Sequence, residues 1–184
     1  IIQECNILYW CSTILTLTYH FIDSKMQEKG DPPFRIPRLR FVKSGFCYAK
    51  SDSSKINRGY ILEENITGRF VKYIGSLFPR PTTRGGTQLL SEAELETAEF
   101  LCFTQHVQYL QTKGYGYISD YQGEYSHLRS SSADYFRNLG KNLFGPGNFP
   151  EGFGRFTTEH ECNGYCRWFE LVPLVWPATA SSRH

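Results

Sequence analysis

The chain opens on an apolar run, Ile7 to Phe21 (ILYWCSTILTLTYHF), in which Tyr, Ser, Thr and His recur every few residues. Residues 1–24 therefore read as a partly buried helix. The polar interruptions come too soon for a membrane span of about 20 apolar residues, and no basic residue precedes the run as a secretory leader requires. Three prolines in the next segment, KGDPPFRIPRLR, exclude a continuous helix and predict a loop. From Leu39 the pattern turns strand-like. RFVKSGFCYAK and GYILEEN, separated by SDSSKINR, read as an antiparallel pair feeding an extended linker, and Thr67-Gly68 leads into RFVKYIG.

SLFPRPTTRGGTQL has no periodicity and reads as a surface loop between two halves. Ser91 followed by Glu94 is a capping box, and Leu95, Ala98, Phe103, His106 and Leu110 then recur at helical spacing, which predicts a helix over 92–112 with His106 on its buried face. After a turn at Lys113-Gly114, YGYISDYQG reads as a strand ending in an acidic, amide-bearing turn, with a loop from Glu124 through Ser132. Phe149, Phe153, Phe156 and His160 fall on one stripe and predict a second helix over 150–162 whose last turn carries cysteines. Beyond Leu171 the two prolines of PLVWPATASSRH announce a tail. There are no internal repeats, and Ser130–Ser132 is the one low-complexity tract.

At 184 residues, 40% of them hydrophobic, the chain suffices for one core and one globular unit. A charged fraction of 21% and a net charge of +2 fit neither a disordered segment nor a basic nucleic-acid-binding domain. The first residue is Ile1, and residues of the same fold are expected upstream of it. The six cysteines lie at 5, 11, 47, 102, 162 and 166; a domain of this size is stable without disulfides, so a reducing, intracellular and cytoplasmic setting is expected. The sequon Asn65-Ile66-Thr67 stands alone and does not change that expectation.

His160-x-Cys162 followed by Cys166 offers three metal ligands within seven residues. The spacing suits tetrahedral zinc, and His106 on the other helix is the natural fourth ligand. Four protein ligands leave no open position, so such a metal is structural. The alternative is that these side chains only fill core volume. HxCx3C is not a finger spacing, and the Lys and Arg residues are dispersed, which leaves no case for nucleic acid as a partner.

FGPGNFPEGFGRFTTEHECNGYCRWFEL resembles the C-terminal signature of the alpha-kinases, the atypical kinases that include myosin heavy chain kinases, elongation-factor kinases and channel-kinases. ILEENITGRFVKY resembles that family's hinge and following strand, and FLCFTQHVQYLQTKGYGYISDYQG its helix, turn and catalytic strand. The ordered matches cover roughly residues 55–171. The resemblance implies that His106, His160, Cys162 and Cys166 are the zinc ligands. It also implies that Asp120 stands at the reacting phosphoryl group, that Gln122 helps to hold magnesium, that Glu64 lies in the adenine-contacting hinge, and that Gly145, Gly147 and Asn148 belong to a glycine-rich loop near nucleotide and substrate. Phosphoryl transfer needs these residue types: magnesium and a carboxylate at the transferred group, and glycines that let backbone amides approach phosphate.

The sequence departs from the family at Ser130, where a second magnesium-binding aspartate is expected; a hydroxyl is a poorer magnesium ligand than a carboxylate. The phosphate-binding lysine of the family's N-terminal lobe falls on a strand expected before Ile1. The resemblance thus implies an α+β, two-lobed, protein-kinase-like fold with a truncated N-terminal lobe and a zinc-stabilised C-terminal lobe. Residues 1–171 are expected to form the catalytic domain and 172–184 a tail. The expected function is ATP-dependent protein serine/threonine kinase, with structural zinc, with magnesium accompanying ATP, and with a protein substrate as partner; the alternative is a degenerate nucleotide-binding pseudokinase. No membrane partner is expected within this chain.

Overall fold

The first helix, α1 (Ile2–Lys29), buries Ile7, Leu8, Cys11, Ile14, Leu15, Thr18 and Ile22 on one face. It runs five residues past the expected end at 24, because the residues up to Lys29 all favour helix and the first breaker is Gly30, at φ 86, whose amide donates to the Met26 carbonyl at 2.9 Å. The computed structural model describes residues 2–50, 58–82, 89–124, 126–129, 133–134 and 150–174. The proline segment that follows α1 has no regular structure, as its sequence requires, yet it is tied down. Tyr19 Oη donates to the Pro37 carbonyl at 2.9 Å and accepts from the Leu39 amide at 2.7 Å, while Phe34 lies edge-on to Tyr165 at 4.6 Å.

The first expected strand divides. β1 (Arg40–Phe41) joins a mixed four-stranded sheet, whereas β2 (Ser44–Ala49) pairs antiparallel with β3 (Arg58–Glu63) in a separate hairpin. Burial explains the division: Leu39, Phe41 and Val42 are core residues, while every residue of β2 is exposed. The four-stranded sheet runs β1-β7-β6-β4, from β4 (Val71–Lys72), β6 (Gln122–Glu124) and β7 (His127–Arg129). β1 is parallel to β7, and the other two pairings are antiparallel.

α2 (Glu92–Gln111) starts as its sequence predicts. Ser91 Oγ accepts from the Glu94 amide, and the Glu94 carboxylate accepts from the Ser91 amide at 2.7 Å. Its residues 100–108 are buried without interruption, so α2 is a central helix walled on several sides. Phe100 and Phe103 pack against Tyr165, and Phe103 stacks on Phe169 with centroids 4.9 Å apart.

The expected strand YGYISDYQG also divides, into β5 (Tyr117–Ile118), antiparallel to β8 (Ala133–Asp134), and β6. The break is Asp120, whose φ of 54 is left-handed and cannot continue a ladder. Gly123, at φ 150, is required as glycine: a Cβ there would lie 2.1 Å from the His127 carbonyl oxygen.

The last helix is shorter than expected, and here the sequence reading is corrected. α3 (Pro150–Glu159) stops before His160, and a separate short helix, α4 (Gly164–Trp168), follows. Cys162 lies in the link and Cys166 on α4. Asn163 is the cause: its side chain caps α4 by accepting from the Cys166 amide at 3.2 Å, and its Nδ2 donates to the Glu99 carbonyl at 2.7 Å, which fastens the link to α2. Past Leu171 the chain remains docked for a few residues, since Leu174 is buried beside Tyr117 and Phe156. No helix among the described residues is long and apolar enough to cross a membrane.

Candidate active site and metal centre

Four side chains from three elements meet at the C-terminal end of α2. The ligand atoms of His106, His160, Cys162 and Cys166 all lie within 4.8 Å of one another. His106 Nδ1 is 3.7 Å from Cys162 Sγ, and His160 Nε2 is 3.7 Å from Cys166 Sγ. A tetrahedron with bonds of about 2.0 Å to nitrogen and 2.3 Å to sulfur has edges of roughly 3.3–3.8 Å, so the two 3.7 Å pairs match a zinc site while the full spread, up to 4.8 Å, is wider than one. The His106 tautomer fits as well. Its Nε2 faces the Val172 carbonyl at 3.0 Å, and because a carbonyl only accepts, Nε2 carries the proton and Nδ1 presents its lone pair to the cluster.

Burial sets the electrostatics of this corner. It lowers the imidazoles of His106 and His160 to about 4, the neighbouring His106 adding to the shift at His160, so both rings are neutral at ordinary pH, as a metal requires. Burial also raises the Cys166 thiol to about 12, so this thiol must give up its proton to a metal when one binds. None of the six cysteines is in a disulfide.

A second group forms where β4, β5 and β6 converge. Asp120 is nearly buried, and its Oδ1 lies 2.5 Å from Lys72 Nζ. Lys72 stands opposite Gln122 in the β4–β6 register. Gln122, Glu63 and Arg129 line a cleft of about 380 Å³ whose other walls are Glu4, Ile7 and Leu8 of α1 and Ile61 of β3. Arg129 pairs with Glu63 across the cleft mouth. The cleft therefore lies between the helix–hairpin half and the sheet that carries Gln122.

Glu64 closes the end of the hairpin. Arg40 grips its carboxylate with two nitrogens, at 2.6 and 2.7 Å, and the Lys43 amide donates to it at 3.1 Å. The Arg40 hydrogen bonds, followed by that amide, bring the Glu64 carboxyl down to about 2. Glu63, one residue earlier, turns into the cleft beside Gln122. Ser130, Gly145, Gly147 and Asn148 lie outside the described residues.

Lys72 is the site residue that sequence reasoning passed over. Within RFVKYIG it is simply the polar member of an alternating strand, and only the pairing of β4 with β6 sets it against Gln122 and Asp120. The local signal that existed was its place in ILEENITGRFVKY, the segment that carries the family resemblance.

The fold and the paired sites define a kinase-like α+β domain with a His/Cys metal corner. The chain belongs to the alpha-kinase family, whose model matches residues 3–166. Among solved structures it is similar to the apoenzyme alpha-kinase domain of myosin-II heavy chain kinase A, at 19% identity and a TM-score of 0.57 over 90% of this chain and 60% of that one. The alpha-kinase domain of myosin heavy chain kinase A in complex with AMP is similar at 20% identity and a TM-score of 0.56, over 90% of this chain and 60% of that one. The same domain in complex with ADP matches at 20% identity and a TM-score of 0.56, over 90% and 59%. The chain thus spans about 60% of the length of these domains, with which it shares a fold. The comparison with curated proteins gave no match.

Proposed function

We propose that the protein is an ATP-dependent protein serine/threonine kinase that moves the ATP γ-phosphate to a protein hydroxyl. The observation that carries this reading is the Lys72–Asp120–Gln122 group, of which Gln122 lines the cleft, with Asp120 buried on left-handed backbone and paired to Lys72. A carboxylate held rigidly by its backbone and a cation can orient the attacking hydroxyl and accept its proton without reorganising as charge develops. Lys72 offsets the charge on Asp120 and on the transferred group, and Gln122 supplies an amide oxygen of the kind that hard cations prefer.

Magnesium arriving with ATP would neutralise the phosphates, with Asp120 and Gln122 the described residues fitted to hold it. The adenine end of the nucleotide belongs in the cleft beside Ile61, Glu63 and Leu8, next to the hinge that ends at Glu64. The Arg40 grip on the Glu64 carboxylate leaves the hinge backbone as the adenine contact. Gly145, Gly147 and Asn148 retain the role that the family resemblance implies for them, near nucleotide and substrate. His106, His160, Cys162 and Cys166 would hold a zinc ion, and with four protein ligands it would serve as scaffold. Residues 1–171 act as catalytic domain and 172–184 as tail. The free cysteines and the need for ATP fit a cytoplasmic setting.

The test is transfer of labelled phosphate from ATP and magnesium to a protein acceptor by the full-length protein, beside Asp120→Ala. Loss of on the order of 10²-fold or more in the variant is expected, the usual scale of a general-base contribution. Equal transfer by both proteins, or none from a folded zinc-loaded wild type, would contradict the assignment.

A further inference from the structure

Asp120 is the residue on which the proposed chemistry turns, and nothing in its own backbone preference holds it in place. A non-glycine residue at φ 54 costs free energy that its surroundings must offset. The constraint comes from both sides. On one side, Ile118 is held twice by α2: its amide donates to Gln108 Oε1 at 2.9 Å, and its carbonyl accepts from Gln105 Nε2 at 2.8 Å. On the other side, the Tyr121 hydroxyl accepts from Gln108 Nε2 at 2.9 Å and lies 3.4 Å from Thr104 Oγ1, while the Tyr121 carbonyl accepts from the amides of Tyr73 and Ile74, just past β4, at 2.9 and 3.2 Å.

Gln108 bonds to both sides. Its side chain is fully buried, and its amide nitrogen also reaches Thr18 Oγ1 of α1 at 3.2 Å. A buried primary amide is costly unless its donors and acceptor are used, and here they are used on Ile118 and Tyr121 to either side of Asp120 and on Thr18 of α1. Leucine or methionine would fill the same volume without that cost, so packing does not account for the choice of glutamine. Gln108 also lies two residues from His106, on the same rigid stretch of α2, so the metal corner and the Asp120 backbone share one support.

We propose that Gln108 is a positioning residue of the phosphoryl-transfer site, fixing the left-handed backbone of Asp120 by clamping Ile118 and Tyr121 on either side of it. The inference rests on the kinase reading above for its catalytic consequence, while the clamp itself is independent of it. Tyr121 is the second half of the device: phenylalanine there would keep the stacking on Phe41, whose centroid is 6.2 Å away, and lose the hydroxyl that Gln108 holds.

The experiment compares full-length wild type with Gln108→Met, which removes both arms of the clamp, and with Tyr121→Phe, which removes one. The measurements are kcat and KM for ATP, zinc content, and hydrogen exchange of the amides of residues 118–121. Expected for Gln108→Met are a fall in kcat of about tenfold or more with KM within about twofold, the pattern of an interaction that matters in the transition state. Exchange at the Ile118 amide rises with zinc content unchanged, and Tyr121→Phe shows the same pattern at smaller amplitude. Unchanged kcat and exchange in both variants would overturn the proposal, as would equal losses in kcat, KM and zinc content, which mark general unfolding. If Gln108→Met does not fold, Tyr121→Phe decides by the same readings. Should the wild type transfer no phosphate, the kinase reading fails by itself, and faster Ile118 exchange in the variants still upholds the clamp while unchanged exchange removes it.

Discussion

The hairpin β2–β3 and the corner where α2 meets α4 are built on opposite plans. In the hairpin, Phe46, Tyr48 and Leu62 are 52%, 55% and 61% exposed, and the pairing is two strands wide. Such a unit is marginal in isolation. Around α2, by contrast, Phe100, Phe103 and His106 are fully buried, the aromatic rings interlock with Tyr165 and Phe169, and Gln105 and Gln108 donate into buried hydrogen bonds. Ile61 and Glu63 of the hairpin form one wall of the cleft, and Gln122 belongs to the other. The cleft thus has the exposed hairpin on one side, while the proposed reacting group beside Gln122 is tied through Tyr121 and Gln108 to buried α2. That division suits an enzyme that must admit a ligand on one side and keep its carboxylate still on the other.

The strongest way to break this contrast is at the metal corner. Cys166→Ser, or removal of zinc by a chelator, is expected to abolish stoichiometric zinc and to unfold the C-terminal half, because structural zinc contributes on the order of 10 kcal/mol in small sites. Metal analysis with thermal melting checks it, and unchanged zinc and melting would mean that the ligands are misassigned. Phe103→Ala should cost about 3–5 kcal/mol in denaturant unfolding, as large-to-small changes in a closed core do. Tyr48→Ser on the exposed hairpin should stay within about 0.5 kcal/mol, and a comparable loss at both positions would dissolve the contrast.

Smaller effects sharpen it. Ser91→Ala should remove the α2 capping box at a cost of about 1 kcal/mol, again read from denaturant unfolding. At the hairpin, Arg40 holds the Glu64 carboxyl at about 2, below its usual 4.5. A lowered carboxyl pKa stabilises the fold fully above pH 4.5, and that contribution is lost as pH falls toward 2. Arg40→Ala should return the Glu64 titration toward 4.5, followed by NMR, and should flatten the acid dependence of stability between those values. A titration that stays near 2 would show that Arg40 is not the cause.

Legibility in the sequence followed the same division. α2 was readable from Ser91, Glu94 and the helical spacing of Leu95, Ala98, Phe103 and His106, because capping and apolar spacing are local properties; that Leu95 is exposed and residues 100–108 are buried all round was not. The clustering of His106, His160, Cys162 and Cys166 was readable because three of them lie within seven residues and His106 is a buried residue of the most regular helix. The breaks were not readable. Left-handed Asp120 has no sequence mark in SDYQG, the division at Val42 depends on which half of RFVKSGFCYAK finds a core, and the end of α3 depends on Asn163 capping α4 instead of continuing a turn. Lys72 was hidden for a related reason: its partner lies 48 residues away, and cross-strand register is a tertiary property.

The proposed phosphoryl transfer requires Asp120 and Lys72 to act together on the transferred group. Its most direct measurement is the rate of phosphate transfer from ATP and magnesium by full-length wild type, Asp120→Asn and Lys72→Met, each first shown to hold zinc and to melt like wild type. The account predicts transfer by the wild type and a loss on the order of 10²-fold or more in each variant. Undiminished transfer in either folded variant would contradict it.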